Sequence, residues 1–213
     1  MNDSNVLQVE TRKYFALLLF NAAKEFLESG KADFAAQRYL SVLAGQRRFL
    51  EYSRRAVWLS YFATDEEVVY AQNNPDAKKP RPFPELQDID ILMRKFLDID
   101  GSSGLGVHVN TEGTTFMQLL HQFTHGGVRS IQALNAGFKA QGIANVLEQN
   151  TRDLRAVGCF VLACNLDLPK QTFQVRLSAV RNDEEQKELL RQLFEKFKST
   201  PNGGLQTLSP NLL

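Results

Sequence analysis

Several residue types are scarce in this sequence, and each shortage excludes a class of protein. Its 213 residues include two cysteines, which are too few for the disulfide framework of a small secreted protein. With thirteen glycines and seven prolines, the chain is neither collagen-like nor of low complexity. Its formal net charge of +1 argues against a broad electrostatic grip on nucleic acid, although a local basic patch is compatible with that balance.

Long apolar runs are also missing. The longest ones, at 15–20 and 157–164, fall far short of the ~20 residues that a membrane-spanning helix requires. The first residues, MNDS, lack the basic start and the apolar core of a secretory signal. We therefore expect a cytoplasmic protein with no membrane partner. We also expect Cys159 and Cys164 to be small buried hydrophobic residues rather than metal ligands or redox groups.

The pattern that is present is helical. Apolar residues recur every three or four positions over four segments, at 5–29, 31–63, 85–99 and 142–166. Shorter helices are predicted at 65–72, 114–125, 128–135 and 182–198. Gly30 is expected to end the first helix, Thr64 to cap the third, and the alternating segment 172–180 to form a helix or an extended arm. Together they predict an all-α fold, a single antiparallel bundle of six to seven helices in one domain over 1–200, with a mobile tail at 201–213.

All three histidines lie in a segment with little charge. Residues 102–151 hold His108, His121 and His125 but only four charged side chains. His121 and His125 are one helical turn apart, as in zinc sites, but Gln122 stands where a metalloprotease has its glutamate base. We therefore predict no metal and no cofactor. His125 precedes two glycines, so it is either a helix cap or an accessible imidazole that titrates near neutral pH.

The basic segment RRFLEYSRR, at 47–55, is the second candidate site. On a helix, its single glutamate, Glu51, lies four residues from Arg47 and Arg55 and three from Arg48 and Arg54. Glu51 also shares a stripe with apolar residues seven positions away on either side, so we expect it to be partly buried and held by arginine. Such a carboxylate either fixes helix packing or orients a functional group.

Two motifs together resemble a known kind of protein. They are the RxxExxxR pattern followed by AVWL, at 48–59, and the later THGG pattern at 124–127. Over roughly residues 35–165 the chain is similar to uncharacterised bacterial all-helical proteins, which are loosely HEPN-like bundles. Some of those bundles resemble toxin or abortive-infection components that act on RNA.

The resemblance implies a helical fold, a homodimer, and a meeting of Arg48, Glu51 and His125 across helices. It does not carry over the catalytic residues of HEPN ribonucleases. Those enzymes place an arginine and a polar residue shortly before a histidine on one helix, and no histidine here follows an arginine at that spacing.

Two classes of function follow. The first is a regulatory or binding module, in defence or stress response, whose partner is a protein, RNA or a nucleotide. The alternative is a metal-independent hydrolase that acts on RNA. In that case His125 or His121 is the general acid or base, Glu51 orients it, and Arg48 or Arg55 stabilises phosphate charge. The missing ribonuclease motif favours the binding module.

Overall fold

The computed structural model describes residues 3–74, 82–97 and 140–200, with side chains from the eleventh residue onward. All regular structure in these residues is α-helical. It comprises α1 (Asp3–Ala35), α2 (Tyr39–Tyr61), α3 (Asp65–Asn73), α4 (Leu86–Leu97), α5 (Ala140–Asn165), α6 (Lys170–Ser178) and α7 (Asp183–Lys198). The predicted all-α bundle is confirmed. None of these seven described helices has the length and apolar character that crossing a bilayer demands.

The first helix does not end at Gly30, so that prediction is wrong. Gly30 is buried against α5, where an added Cβ atom would lie 3.3 Å from Leu147 Cδ2. The absence of a side chain therefore serves close packing of two helices rather than a turn. α1 continues to Ala35, and the chain reverses around Gln37, whose φ of 59° is left-handed. The second helix accordingly begins at Tyr39.

Other expected elements agree with the structure. The segment 172–180 is largely helical, because its buried side chains are four residues apart and α6 buries them together. Thr64 caps α3 in a capping box: its side chain accepts a hydrogen bond from the Glu67 backbone N–H, and the Glu67 carboxylate accepts one from the Thr64 N–H. The helices predicted at 114–125 and 128–135 lie outside the described residues.

α1 runs antiparallel to α2, and α5 runs in the same direction as α2. Near its start, α1 contacts the end of α2 through Arg12 and Leu59, and near its end it contacts the start of α2 through Phe34 and Tyr39. α2 and α5 meet in increasing order along both helices, first through a Gln46–Asn150 pair, then Arg54–Asp153, then Tyr61–Phe160. The carboxyl ends of α2 and α5 therefore lie at the same end of the bundle.

Two consecutive cations of α1 reach these carboxyl ends. Arg12 Nη1 donates hydrogen bonds of 2.8 Å to the carbonyl oxygens of Leu59 and Ala63. Lys13 Nζ lies 2.7 Å from a carboxylate oxygen of Asp167, just beyond the end of α5. The last carbonyls of a helix carry partial negative charge, so two parallel helices bring two negative ends together. The cations of α1 offset that charge.

The described helices share one hydrophobic core. Aromatic rings dominate it where α2, α4, α5 and α6 meet. Tyr61 stacks on Phe173 with ring centroids 5.2 Å apart, and Phe160 meets Phe173 edge-on at 5.1 Å. Phe96 of α4 contacts the same rings. This aromatic packing holds α4 against α2, which carries the candidate site.

Candidate functional site

Four side chains of α2 form one outward-facing surface, which we call the arginine face: Arg47, Arg48, Glu51 and Arg55. Their spacing of three, four and seven residues places them on one side of the helix. Glu51 pairs with Arg47, at 2.9 Å between Oε1 and Nε. The two side chains are 25% and 31% exposed. The structure thus holds Glu51 by one arginine at a half-buried position, and the other three arginines of the segment have different contacts.

Arg48 and Arg55 lie over aromatic rings instead of carboxylates. The guanidinium carbon of Arg48 is 5.8 Å from the ring centre of Phe26 on α1. That of Arg55 is 4.7 Å from the ring centre of Phe83, which precedes α4. Among the described residues, neither arginine has a carboxylate within 4.0 Å. The Nε of Arg55 is buried without a hydrogen-bond partner among the described residues. A guanidinium that contacts a ring instead of a carboxylate has N–H donors left for an anion.

The chain's single tryptophan lies beneath this surface. Trp58 is buried and meets Phe83 edge-on, with ring centroids 5.7 Å apart. Phe83 therefore contacts Arg55 and Trp58. Because Phe83 contacts both side chains, a ligand that moves the Arg55 guanidinium is expected to change the fluorescence of Trp58.

The most buried charge of the segment is Arg54, which its spacing on α2 indicates only as a possible partner of Glu51. Its side chain is 2% exposed. Its Nε donates to Asp90 Oδ1 of α4 at 2.7 Å, and its Nη2 lies 3.3 Å from Asp153 Oδ2 of α5. Its Nη1 is buried and makes no hydrogen bond with the described residues. Arg54 thus ties α2 to two other helices.

The two aspartates of this buried cluster keep Arg54 positively charged. Burial by itself would lower the pKa of Arg54, but the nearby carboxylates of Asp90 and Asp153, and the hydrogen bonds they accept, raise that pKa above its ordinary value. Arg54 stays charged, and its two carboxylate partners offset its desolvation. Such a group is typical of a structural ion cluster, since removing one partner leaves a buried charge uncompensated.

A second buried polar contact joins α2 and α5 further toward their amino ends. Gln46 and Asn150 exchange amide hydrogen bonds: Gln46 Nε2 donates to Asn150 Oδ1 at 2.7 Å, and Asn150 Nδ2 donates to Gln46 Oε1 at 2.5 Å. Both side chains are buried. A reciprocal pair of this kind is satisfied only when the two helices are in one register.

A sequence signal for the buried cluster existed. Arg54 lies four residues after Leu50 and three before Val57, so it shares the apolar stripe of α2. Asp153 lies four residues before Val157 on the stripe of α5. Opposite charges on apolar stripes of different helices predict a buried ion pair. The same reasoning, applied above to Glu51, which is half-buried, holds for Arg54, which is fully buried.

The remaining candidates divide into two groups. His121 and His125 lie outside the described residues, so their predicted meeting with Glu51 and Arg48 stays a prediction. The cysteines are buried, as expected. Burial raises the pKa of Cys159 to about 12 and that of Cys164 to about 11, which keeps both thiols protonated and unreactive near neutral pH. Within residues 3–74, 82–97 and 140–200 no three potential ligands converge as a metal site would require.

One family matches the chain over residues 20–181, and its description is "Family of unknown function (DUF6988)". That range is well over half of the chain. The chain belongs to this family. The DUF6988 match includes the arginine face and all three members of the Arg54 cluster, and it confirms the likeness to an uncharacterised family. Among curated proteins and among solved structures, none matches the chain.

Proposed function

We propose that this protein is a binding module whose ligand is an anion, and that the arginine face of α2 is the surface that binds it. One observation carries the proposal. Arg48 and Arg55 hold their guanidinium groups on aromatic rings at the surface, and neither has a carboxylate partner among the described residues. Arg47 and Arg54, by contrast, each pair with a carboxylate.

The geometry suits recognition of an oxyanion. Seven residues along an α-helix separate Arg48 from Arg55 by about 10 Å. The planar fork of each guanidinium binds a carboxylate or phosphate with two parallel hydrogen bonds. Each charge-assisted hydrogen bond contributes about 1.5–3 kcal/mol, so two arginines are sufficient for a specific contact.

The test is a titration of the full chain with inorganic tripolyphosphate at low ionic strength. Calorimetry measures the affinity, and the emission of Trp58 reports the Arg55–Phe83 contact. We expect the double variant Arg48→Ala/Arg55→Ala to lose at least about tenfold in affinity, since tenfold corresponds to about 1.4 kcal/mol. The matched control is Arg152→Ala/Arg191→Ala, which removes two exposed arginines from α5 and α7 and changes net charge equally. Equal loss in both double variants would overturn the proposal.

One observation favours the alternative, a hydrolase that acts on RNA. Glu51 is a half-exposed carboxylate that Arg47 holds in one orientation, between the guanidinium groups of Arg48 and Arg55. A general acid or base assisted by such a carboxylate would need His125 or His121 beside it. Degradation of RNA by purified protein, abolished in both His125→Ala and Glu51→Gln, would support this alternative. Binding of RNA without degradation supports the binding module.

The wider setting of the module is also a proposal. The HEPN-like resemblance implies a homodimer and a regulatory role in defence or stress response, and the absence of long apolar runs from the sequence favours a cytoplasmic location. Sedimentation of the full chain tests the dimer: a mass near 48 kDa, twice the 24.1 kDa of one chain, is expected, and a mass of 24.1 kDa would contradict it.

A further inference from the structure

Besides its charge, the arginine face has aromatic rings that contact its arginines. Tyr52 of α2 and Phe26 of α1 stack with ring centroids 5.6 Å apart and an angle of 12° between their planes. The guanidinium of Arg48 lies over the same Phe26 ring. Both rings are partly exposed, and Arg48 is exposed. An exposed guanidinium therefore lies over one ring of a stacked aromatic pair.

A second guanidinium group, that of Arg55, lies at the other end of the arginine face. The guanidinium of Arg55 lies on Phe83, which is itself partly exposed. Glu51, which lies between Arg48 and Arg55 along the helix, pairs with Arg47, and the opposite charges of this pair cancel. Three arginines against one glutamate leave the face with a net charge of +2. This local charge exists in a chain whose overall net charge is only +1.

These features distinguish among anions. A simple polyanion binds through charge and hydrogen bonds alone, which a guanidinium group supplies without stacking on a flat partner. Planar guanidinium groups supported by aromatic rings additionally stack on the flat faces of nucleobases. Proteins that bind single strands combine a basic surface with such stacking platforms, and each stacked base contributes about 1–3 kcal/mol. The ~10 Å between Arg48 and Arg55 corresponds to about three stacked nucleotides at about 3.4 Å each.

We propose that the ligand of the arginine face is single-stranded nucleic acid, with phosphates bound by Arg48 and Arg55 and a base stacked on the outer face of the Arg48 guanidinium. This inference rests on the proposed function, because it names the anion. A duplex keeps its bases paired and stacked on one another, so it offers no free base to Arg48. It is the weaker ligand for this surface.

The experiment compares three probes on the full chain: a labelled uridine 12-mer, the same strand annealed to its complement, and inorganic polyphosphate of similar charge. Anisotropy gives the affinity for the first two, and competition gives that of the third. We expect the single strand to bind at least about tenfold more tightly than either other probe.

The variant Arg48→Lys separates stacking from charge, since lysine keeps the charge and loses the plane. We expect it to weaken binding of the uridine strand by at least about tenfold. Binding of polyphosphate should weaken by clearly less, because polyphosphate loses only the paired hydrogen bonds of the guanidinium. Arg152→Lys, on the exposed side of α5, is the matched control and should change neither. Circular dichroism confirms that each variant is folded.

The outcomes separate the two proposals. If polyphosphate and the uridine strand bind equally, and Arg48→Lys weakens both to the same extent, the inference about nucleic acid is wrong while the anion-binding function stands. If the duplex binds as well as the single strand, the inference is likewise overturned. If no probe binds, the proposed function itself fails.

Discussion

Arg54 and Arg55 are neighbours on α2, yet their guanidinium groups have opposite surroundings. Arg54 is 2% exposed and bonds to carboxylates of two other helices. Arg55 lies on the ring of Phe83 and has no carboxylate partner among the described residues. One step along a helix turns a side chain by about 100°, which is enough to move an arginine from an ion cluster to a surface. Residue type alone therefore does not distinguish a structural arginine from a binding one.

The largest loss of stability is expected when the buried arginine, Arg54, is replaced. Arg54→Ala leaves the carboxylates of Asp90 and Asp153 without their cation, so it should lower the free energy of unfolding by about 3–5 kcal/mol. Urea denaturation followed by circular dichroism measures the change. Should Arg54→Ala not fold, Arg54→Lys keeps the charge and is expected to fold with a smaller loss. A variant as stable as the wild type would contradict the ion-cluster account.

The Gln46–Asn150 pair gives the next largest effect. Gln46→Leu leaves the buried amide of Asn150 without its partner, and such a loss costs about 1–3 kcal/mol. The double variant Gln46→Leu/Asn150→Leu removes both polar groups and is expected to recover most of that stability. Urea midpoints of the two single variants and the double variant form the cycle. Additive losses would mean that the amides do not act as a pair.

On the exposed side, substitution should cost little stability. Arg55→Ala and Arg48→Ala each remove one cation–π contact, which contributes about 0.5–1 kcal/mol at exposed sites. We expect thermal unfolding to shift by only a few degrees for each. A loss for Arg55→Ala as large as that of Arg54→Ala would remove the distinction between the two neighbours.

The smallest effect is expected at Glu51. Its pair with Arg47 is partly exposed, and such pairs contribute about 0–1 kcal/mol. Glu51→Gln should therefore unfold at nearly the wild-type temperature, with a difference that shrinks as salt is added, because salt screens surface charges. A stability loss that is unaffected by salt would show that Glu51 belongs to the buried network.

Local patterns predicted most of the described helices, whereas they could not predict the contacts between helices. Thr64 and its following acids predict the start of α3 because a capping box is made within four residues. Gly30 misled the prediction, because a glycine that ends a helix and one that lets another helix approach look the same in one sequence. The structure decides between them, because a Cβ atom added at Gly30 would lie 3.3 Å from Leu147 Cδ2.

In the candidate site, too, contacts within one helix could be predicted and contacts between helices could not. That Glu51 pairs with an arginine follows from spacing on one helix, although spacing alone leaves four arginines as partners. The rings beneath Arg48 and Arg55 come from Phe26 and Phe83, which lie 22 and 28 residues away in sequence. Such contacts depend on how α1 and α4 pack on α2, and no periodicity within α2 reports that.

The most direct test of the account measures stability and binding on the same preparation of Arg55→Ala. The urea midpoint gives the stability, and calorimetry with tripolyphosphate gives the affinity. We expect a midpoint close to that of the wild type together with an affinity at least about tenfold lower. A midpoint that falls as far as that of Arg54→Ala, with an unchanged affinity for tripolyphosphate, would contradict it.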